Sequence, residues 1–384
     1  MLVGIDASRA TAEQRTGTET YSLHLIRALL ARGKDHRFRL YLNQAPPPGL
    51  FPGAADLRVM PFPRLWTHVR LSREMLAAAP DVLFVPSHVL PLVHPSRCVV
   101  TVHDLGYHYY PEAHTLFQNA YLRWSTRYNA RTATRVVADS EATRKDLQRY
   151  YQIPEERIVV VYPGRDDTLT PVRDPQVMTA VRTRYGLKQR YFLYVGTLHP
   201  RKNLVRLVEA FAAFTKAIQA GHEPVEGGSA EATEAPQLVI AGQKGWLYEE
   251  IFARVRKLGL EDQVLFTGYV PGADLPALLS GAVAFVFPSL YEGFGLPVLE
   301  AMSCGTPVIC SNASSLPEVG GDAALQVDPL DVGAWAEAMS RVNADEGLRT
   351  MLVERGFEQV QHFSWQRCAG QVLHVLEDAG RGLD

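Results

Sequence analysis

Two carboxylates, Glu292 and Glu300, stand with seven residues between them in the stretch PSLYEGFGLPVLEAMSCGTP, residues 288–307. Gly293, Gly295 and Pro297 lie in that interval. A carboxylate accepts hydrogen bonds from hydroxyls, and a glycine-bearing loop that enters a helix offers backbone N–H groups where the helix dipole favours an anion. A carboxylate on each side of an anion seat suits a ligand with hydroxyls at both ends and phosphate between them, which is the layout of a sugar nucleotide. The spacing alone is equally met by an ordinary strand, loop and helix whose glutamates are solvated.

The elements that would position the pair can be read around it. The apolar run 283–287 reads as a buried strand, and Pro297 suits the first turn of a helix continuing through Leu299, Ala301 and Met302. Glu292 then belongs to the loop and Glu300 to the helix. The full string EGFGLPVLEAMSCGTPVICSNASSLPEV resembles the E-x7-E signature of the group 1 (family 4) retaining glycosyltransferases of the GT-B fold. That resemblance implies a donor-sugar contact for Glu292, backbone contacts to sugar and phosphate from Phe294, Gly295 and Leu296, and ribose binding for Glu300.

At 384 residues the chain exceeds one comfortable core, so two domains are expected. A hydrophobic share of 47% with 21% charged residues is that of a soluble globular protein. A net charge of -2 gives no reason to expect nucleic acid as a partner. Cys98, Cys304, Cys310 and Cys368 show no C-x-x-C spacing and suit reduced thiols better than a disulfide scaffold or zinc site. The opening MLVGIDASRA lacks a basic region followed by an apolar stretch, and no apolar run approaches a membrane span. A cytoplasmic location, peripheral on the inner face of the membrane at most, is expected.

In the first half, short β-like runs at 2–5, 38–42, 57–60, 82–85, 98–102 and 136–138 alternate with helical patterns, as in a doubly wound parallel sheet. Ligands of such sheets bind beyond the carboxyl ends of the strands. The loop after the first strand leads to Gly17 and Thr18, and the strand 99–102 is followed by His103 and Asp104. By position alone Gly17 fits a plain helix start and His103 a satisfied structural histidine. The family resemblance implies that Gly17 and Thr18 lie against the donor phosphates and that His103, in TVHDLGYHYYPE, touches the donor sugar. Asp104 reads as a residue that organises its loop. A helix over 118–134 would carry Arg123, Arg127, Arg131 and Arg135 four apart, a basic stripe fitted either to solvent or to anionic lipid. Residues 64–79, with Trp66, Val69, Arg70 and Arg73, form a second basic and apolar segment. Ser140 reads as a helix N-cap, and residues 163–175, rich in Pro, Asp and Gly, as a linker.

The second half repeats the plan. YFLYVGTLHPRKNLVRLVEAF reads as strand, loop and helix, with Arg201 and Lys202 beside the helix start, where two cations set against the dipole fit either an anion or a solvated pair. GTLHPRKN resembles the family's phosphate-binding loop, which implies that Arg201 and Lys202 grip the donor diphosphate; His199 stands where close relatives carry a carboxylate. Residues 221–236 have the composition of a surface insertion. LVIAGQKGW and VLFTGYV resemble the strand ends that frame the nucleotide base, which implies contacts from Gly242, Lys244, Tyr269 and Val270. After a polar turn SNASSLPEV and further helices, the pattern 365–376 fits a terminal helix.

The expected fold is therefore α/β of the GT-B type: two doubly wound parallel-sheet (Rossmann-like) domains, 1–170 and 171–364, with a cleft between them, and residues 365–384 crossing back to the first. The expected activity is transfer of a hexose from a nucleotide-sugar donor, GDP-mannose before UDP-hexoses, to a glycan or lipid-linked acceptor with retention. No cofactor or metal is expected, since the chain lacks an Asp-x-Asp pair. Glu292, His103, Arg201 and Lys202 are the candidate catalytic residues. A sugar-nucleotide epimerase of the same fold and a non-catalytic sugar-nucleotide-binding protein are the alternatives, separable by acceptor-dependent nucleotide release.

Overall fold

The structure, a computed structural model, describes residues 1–12, 17–53, 56–87, 89–221 and 236–382. The expected insertion at 221–236 thus falls outside the described residues except at its two ends. The chain divides into two compact units, Met1–Gly164 with Phe363–Asp384, and Arg165–His362. The first division lies inside the expected linker but ahead of residue 170, and the second just ahead of residue 364.

Unit 1 is built on seven parallel strands: β1 Leu2–Asp6, β2 Arg37–Leu42, β3 Asp56–Val59, β4 Val82–Val85, β5 Cys98–Val102, β6 Arg135–Ala138 and β7 Ile158–Val160. Their order is β3-β2-β1-β4-β5-β6-β7. The central strands VLFV and CVVTV are buried along their whole length, as strands covered on both faces must be. One face is closed by the helix Gly17–Arg32 and by the terminal helix Trp365–Arg381, whose Val372 and Leu376 share a core with Leu25, Leu29, Val3 and Ile5. That helix runs five residues beyond the expected 376. Outgoing and returning chain touch where only glycine fits, because a Cβ on Gly164 would come within 2.2 Å of the Trp365 nitrogen.

The basic stripe needs correcting. The helix spans Leu116–Thr132, opened by a capping box between Thr115 and Gln118, and Arg135 is the first residue of β6 instead. Arg123, Arg127 and Arg131 remain on the helix. Its inward face holds Asn119, Ser125, Thr126 and Asn129, while Leu116 and Phe117 face outward.

Unit 2 has six parallel strands: β8 Tyr191–Val195, β9 Gln237–Ala241, β10 Val264–Gly268, β11 Ala284–Phe287, β12 Val308–Ser311 and β13 Ala324–Val327. They run in the order β10-β9-β8-β11-β12-β13. The winding direction reverses between β8 and β11, so the loops leaving those two strands flank one crevice at the carboxyl edge. Two local readings change. LPEVG within the expected polar turn winds into a short helix, Leu316–Gly320, with proline in its first turn. The pattern WLYEEIFARVRKL predicts a helix from Trp246, but the helix begins at Glu249, because Leu247 takes a left-handed conformation that a continuous helix excludes.

Candidate functional site

The reversal in unit 2 puts the GTLHPRKN loop beside the loop that carries Glu292. Arg201 and Lys202 sit on a single 3-10 turn, Pro200–Lys202, started by His199, whose Nδ1 accepts a hydrogen bond from the Arg201 nitrogen at 3.1 Å. Asn203 closes the turn in a left-handed conformation. Its buried amide donates to the carbonyls of Pro288 and Pro329, at 3.1 and 2.6 Å. The Leu290 nitrogen donates to the Arg201 carbonyl at 2.9 Å. The two loops are thereby joined through backbone and side chain.

Glu292 is buried, and its carboxylate accepts from Lys202 Nζ. Arg201 Nη1 lies 3.7 Å from its second oxygen and donates to the Tyr291 carbonyl at 3.2 Å. Burial by itself would push the Glu292 carboxyl up, but the charges of Lys202 and Arg201 outweigh it and hold the group below its ordinary range. The Lys202 ammonium also lies 5.1 Å from the centroid of the Phe287 ring. Ser314 and Ser315 fix the loop backbone by donating to the Glu292 carbonyl at 2.6 and 3.0 Å, and Ser315 also to that of Phe294 at 2.6 Å.

Gly295 opens the helix Leu296–Ser303 with φ 120°, and no side chain caps that N-terminus. A Cβ there would meet the Leu316 side chain at 2.7 Å, so the position needs glycine for both conformation and space. Phe294 is buried beneath it. Glu300 lies on the helix, where burial, and then the charge of Asp166, push its carboxyl up to about 7. The two glutamates of the motif are therefore held in opposite senses, one ionised and one poised near neutrality.

At the neighbouring strand ends, Gly242 follows β9 with φ 153°, and a Cβ on it would come within 1.9 Å of the Gly196 carbonyl oxygen. Lys244 bridges to Leu198, and its ammonium lies 5.1 Å from the Tyr248 ring and 5.3 Å from that of Phe252. Tyr269 is exposed after β10, and Val270 is half-buried.

In unit 1, Gly17 is the exposed first residue of its helix, with open space where a side chain would be, and the Thr18 carbonyl accepts from Ser22 at 3.0 Å. β5 and β6 pair with Val102 beside Ala138, which sets the next residues, His103 and Asp139, side by side at the carboxyl edge. Nδ1 of His103 lies 2.6 Å from Asp139 Oδ2. Asp104 accepts from the Gly106 nitrogen at 2.8 Å, a loop-internal bond.

Sequence reasoning missed Asp139, Asn203 and the Ser314–Ser315 hydroxyls. Asp139 was within reach, because it stands directly after an apolar strand just as His103 does. Asn203 and the serines act through backbone carbonyls distant in sequence, and no spacing rule announces that.

Residues 181–359 match the family model described as glycosyl transferases group 1, and residues 15–169 match that described as glycosyltransferase family 4. The O-antigen chain mannosyltransferase B of Escherichia coli is 35% identical over 282 residues, covering 73% of this chain and 70% of that protein. The serotype-specific mannosyltransferase WbdA of the same species is 29% identical over 239 residues, or 62% of this chain, but only 28% of the relative's own length is spanned. The sucrose-phosphate synthase of Thermosynechococcus elongatus shares the fold, with a TM-score of 0.73 at 22% identity and 99% of both chains covered.

Proposed function

We propose, from the premise that this chain belongs to the group 1 (family 4) glycosyltransferases and has their GT-B fold, that it moves a mannosyl residue from GDP-mannose to a glycan or lipid-linked glycan acceptor. The observation that carries this reading is the charge balance at the crevice of unit 2. Two cations, Arg201 and Lys202, converge on one carboxylate, Glu292, in the loop that leads to a helix N-terminus without a side-chain cap. A diphosphate answers both features.

In this reading the C1–phosphate bond breaks and the acceptor oxygen bonds to C1 on the same face of the sugar, while the acceptor's proton passes to the departing phosphate oxygen. The charge that develops there is met by Arg201, Lys202 and the N–H groups beside Gly295, with no metal required. Glu292 and His103 orient the sugar, and Glu300 accepts hydrogen bonds from the ribose. Gly17 and Thr18 would contact the donor phosphates. Gly242, Lys244, Tyr269 and Val270 would frame the base. Phe294 and Leu296 would line the donor.

The acceptor side of the proposal includes an anionic membrane surface. Leu116 and Phe117 are 92% and 81% exposed, and Trp124 and Tyr121 beside them are partly exposed. Tyr121 and Trp124 both meet His68 of the neighbouring segment, where Leu65 and Val69 are also exposed. Exposed apolar and aromatic residues interleaved with Arg123, Arg127 and Arg131 suit the boundary between lipid tails and acidic headgroups. Trp66, also in that segment, instead turns inward, and its indole donates to the Met60 carbonyl at 2.7 Å. Among the described residues no helix is long and apolar enough to cross a membrane.

The test is incubation with GDP-mannose or UDP-hexoses, with and without a mannan or lipid-linked acceptor, in the presence of a chelator. Acceptor-dependent GDP release and an α-linked product support the reading. Release only from a UDP-hexose, an inverted product or a changed sugar on intact donor overturns it.

A further inference from the structure

We infer that Asp139 is a positioning residue: it grips the imidazole of His103 by Nδ1 and so fixes the tautomer of the ring and the direction in which Nε2 is presented. The inference rests on the donor-side role proposed above for His103.

The geometry begins with strand register. Val102 and Ala138 are partners in adjacent parallel strands, so the residues that follow leave the sheet edge together. Asp139 and the His103 ring are both largely buried, with Nδ1 and Oδ2 2.6 Å apart. Two further contacts hold the residue in place. Tyr21 packs edge-on against it, with centroids 4.8 Å apart, and the Thr143 hydroxyl donates to the His103 carbonyl at 3.2 Å. Here Nε2 is buried without a hydrogen-bond partner, and so is Asp139 Oδ1. Two buried, unanswered polar atoms at a strand's carboxyl edge are where a ligand hydroxyl completes the set.

The charges around the ring decide what Nε2 offers. Burial works against the imidazolium, but Asp139, its hydrogen bond, Asp104 and the Pro86 carbonyl together raise the pKa of His103 above its ordinary value. Tyr21 and Cys368, the other titratable groups in this corner, stay uncharged because burial pushes both well up. A ring that keeps its second proton presents N–H at Nε2. Without Asp139 the ring would lose its second proton at lower pH, and in the neutral form either nitrogen could carry the remaining one.

Nitrogen-resolved NMR of the imidazole reads this directly. In the intact protein Nδ1 of His103 should stay protonated on both sides of the ring's titration. In Asp139→Asn the titration should move at least about one pH unit lower, the alkaline limb of kcat/KM for the donor should move with it, and kcat should fall more than KM rises. Asp139→Glu should restore much of the wild-type limb. An unprotonated Nδ1 in the wild type, or a titration that Asp139→Asn leaves in place, overturns the inference. If Asp139→Asn fails to fold, the wild-type spectrum and Asp139→Glu decide. Wild-type transfer by His103→Ala would instead remove the donor-side role of the ring, and the NMR result would be unaffected.

Discussion

Lys202 and Glu292, ninety residues apart in sequence, form a buried ion pair in unit 2, with Arg201 on the far oxygen of the same carboxylate. The residues proposed to grip the donor's phosphates therefore already hold the residue proposed to orient its sugar. An incoming diphosphate must share these cations with Glu292, and both sugar and phosphate are then aligned from one rigid cluster.

Replacing Lys202 by Ala should lower kcat for transfer at least about a hundredfold, since a donor to the developing phosphate charge is lost. Lys202→Arg should recover part of it. The measurement is acceptor-dependent nucleotide release, and a rate within about threefold of wild type would sink the assignment. The pair also has a pH signature. Because the Glu292 pKa is held down, its stabilisation is complete above the ordinary carboxylate range and is lost as pH falls through the lowered value. Acid titration of thermal stability should show that loss in the wild type and a smaller one in Lys202→Ala.

Glu300 predicts the opposite behaviour at the other end of the motif. With its carboxyl pushed up to about 7, it is protonated on the acid side and gains full hydrogen-bond acceptor capacity on the alkaline side. Donor affinity should therefore rise as pH passes through about 7, and Asp166→Asn, which removes a neighbouring negative charge, should shift that rise to lower pH. Folding stability should run the other way. A raised folded pKa favours the protonated native state, so this contribution is lost as pH climbs from about 4.5 to about 7. Calorimetric titration of GDP at several pH values checks the first claim, and an affinity flat across neutrality refutes it.

Gly242→Ala should destabilise unit 2 without touching any charged group. The new methyl would collide with the Gly196 carbonyl in a backbone conformation that L residues rarely adopt. Strain of this kind costs about 1–3 kcal/mol before the collision is counted. For a unit of this size the melting temperature should drop by at least about 2–4 °C. An unchanged melting curve would show that the two strand exits are not locked together.

Leu116→Ser with Phe117→Ser should weaken binding to vesicles containing phosphatidylglycerol about tenfold or more, by removing buried apolar area. Arg123→Gln with Arg127→Gln should weaken the same binding chiefly at low salt. Sedimentation with vesicles tests both. Binding that ignores Leu116 and Phe117, or that is equal on neutral lipid, would leave this face to a protein partner or to solvent.

The parallel sheets, their strand positions and the loop carrying Glu292 were readable because buried strands and helix starts leave local marks. The apolar run before Pro288 and the proline at 297 are two of these. What stayed hidden depends on tertiary register. Asp139 meets His103 only because Val102 and Ala138 align, and Asn203 acts through carbonyls at 288 and 329. The Arg stripe was overextended because a four-residue period continues past the point where the helix stops. Alternation of charge says nothing about where backbone hydrogen bonding hands over to a strand. The same helix hid its outward Leu116 and Phe117, since periodicity predicts that apolar residues turn inward.

The returning helix Trp365–Arg381 has a temporal consequence. Because Cys368, Val372 and Leu376 complete the hydrophobic interior of unit 1, residues 1–164 cannot finish packing until the helix at 365–381 has also left the ribosome. Unit 2, continuous in sequence, is free to mature first. A nascent chain arrested before residue 365 should thus carry a protease-resistant second half behind a protease-sensitive first half, the reverse of the usual order of emergence.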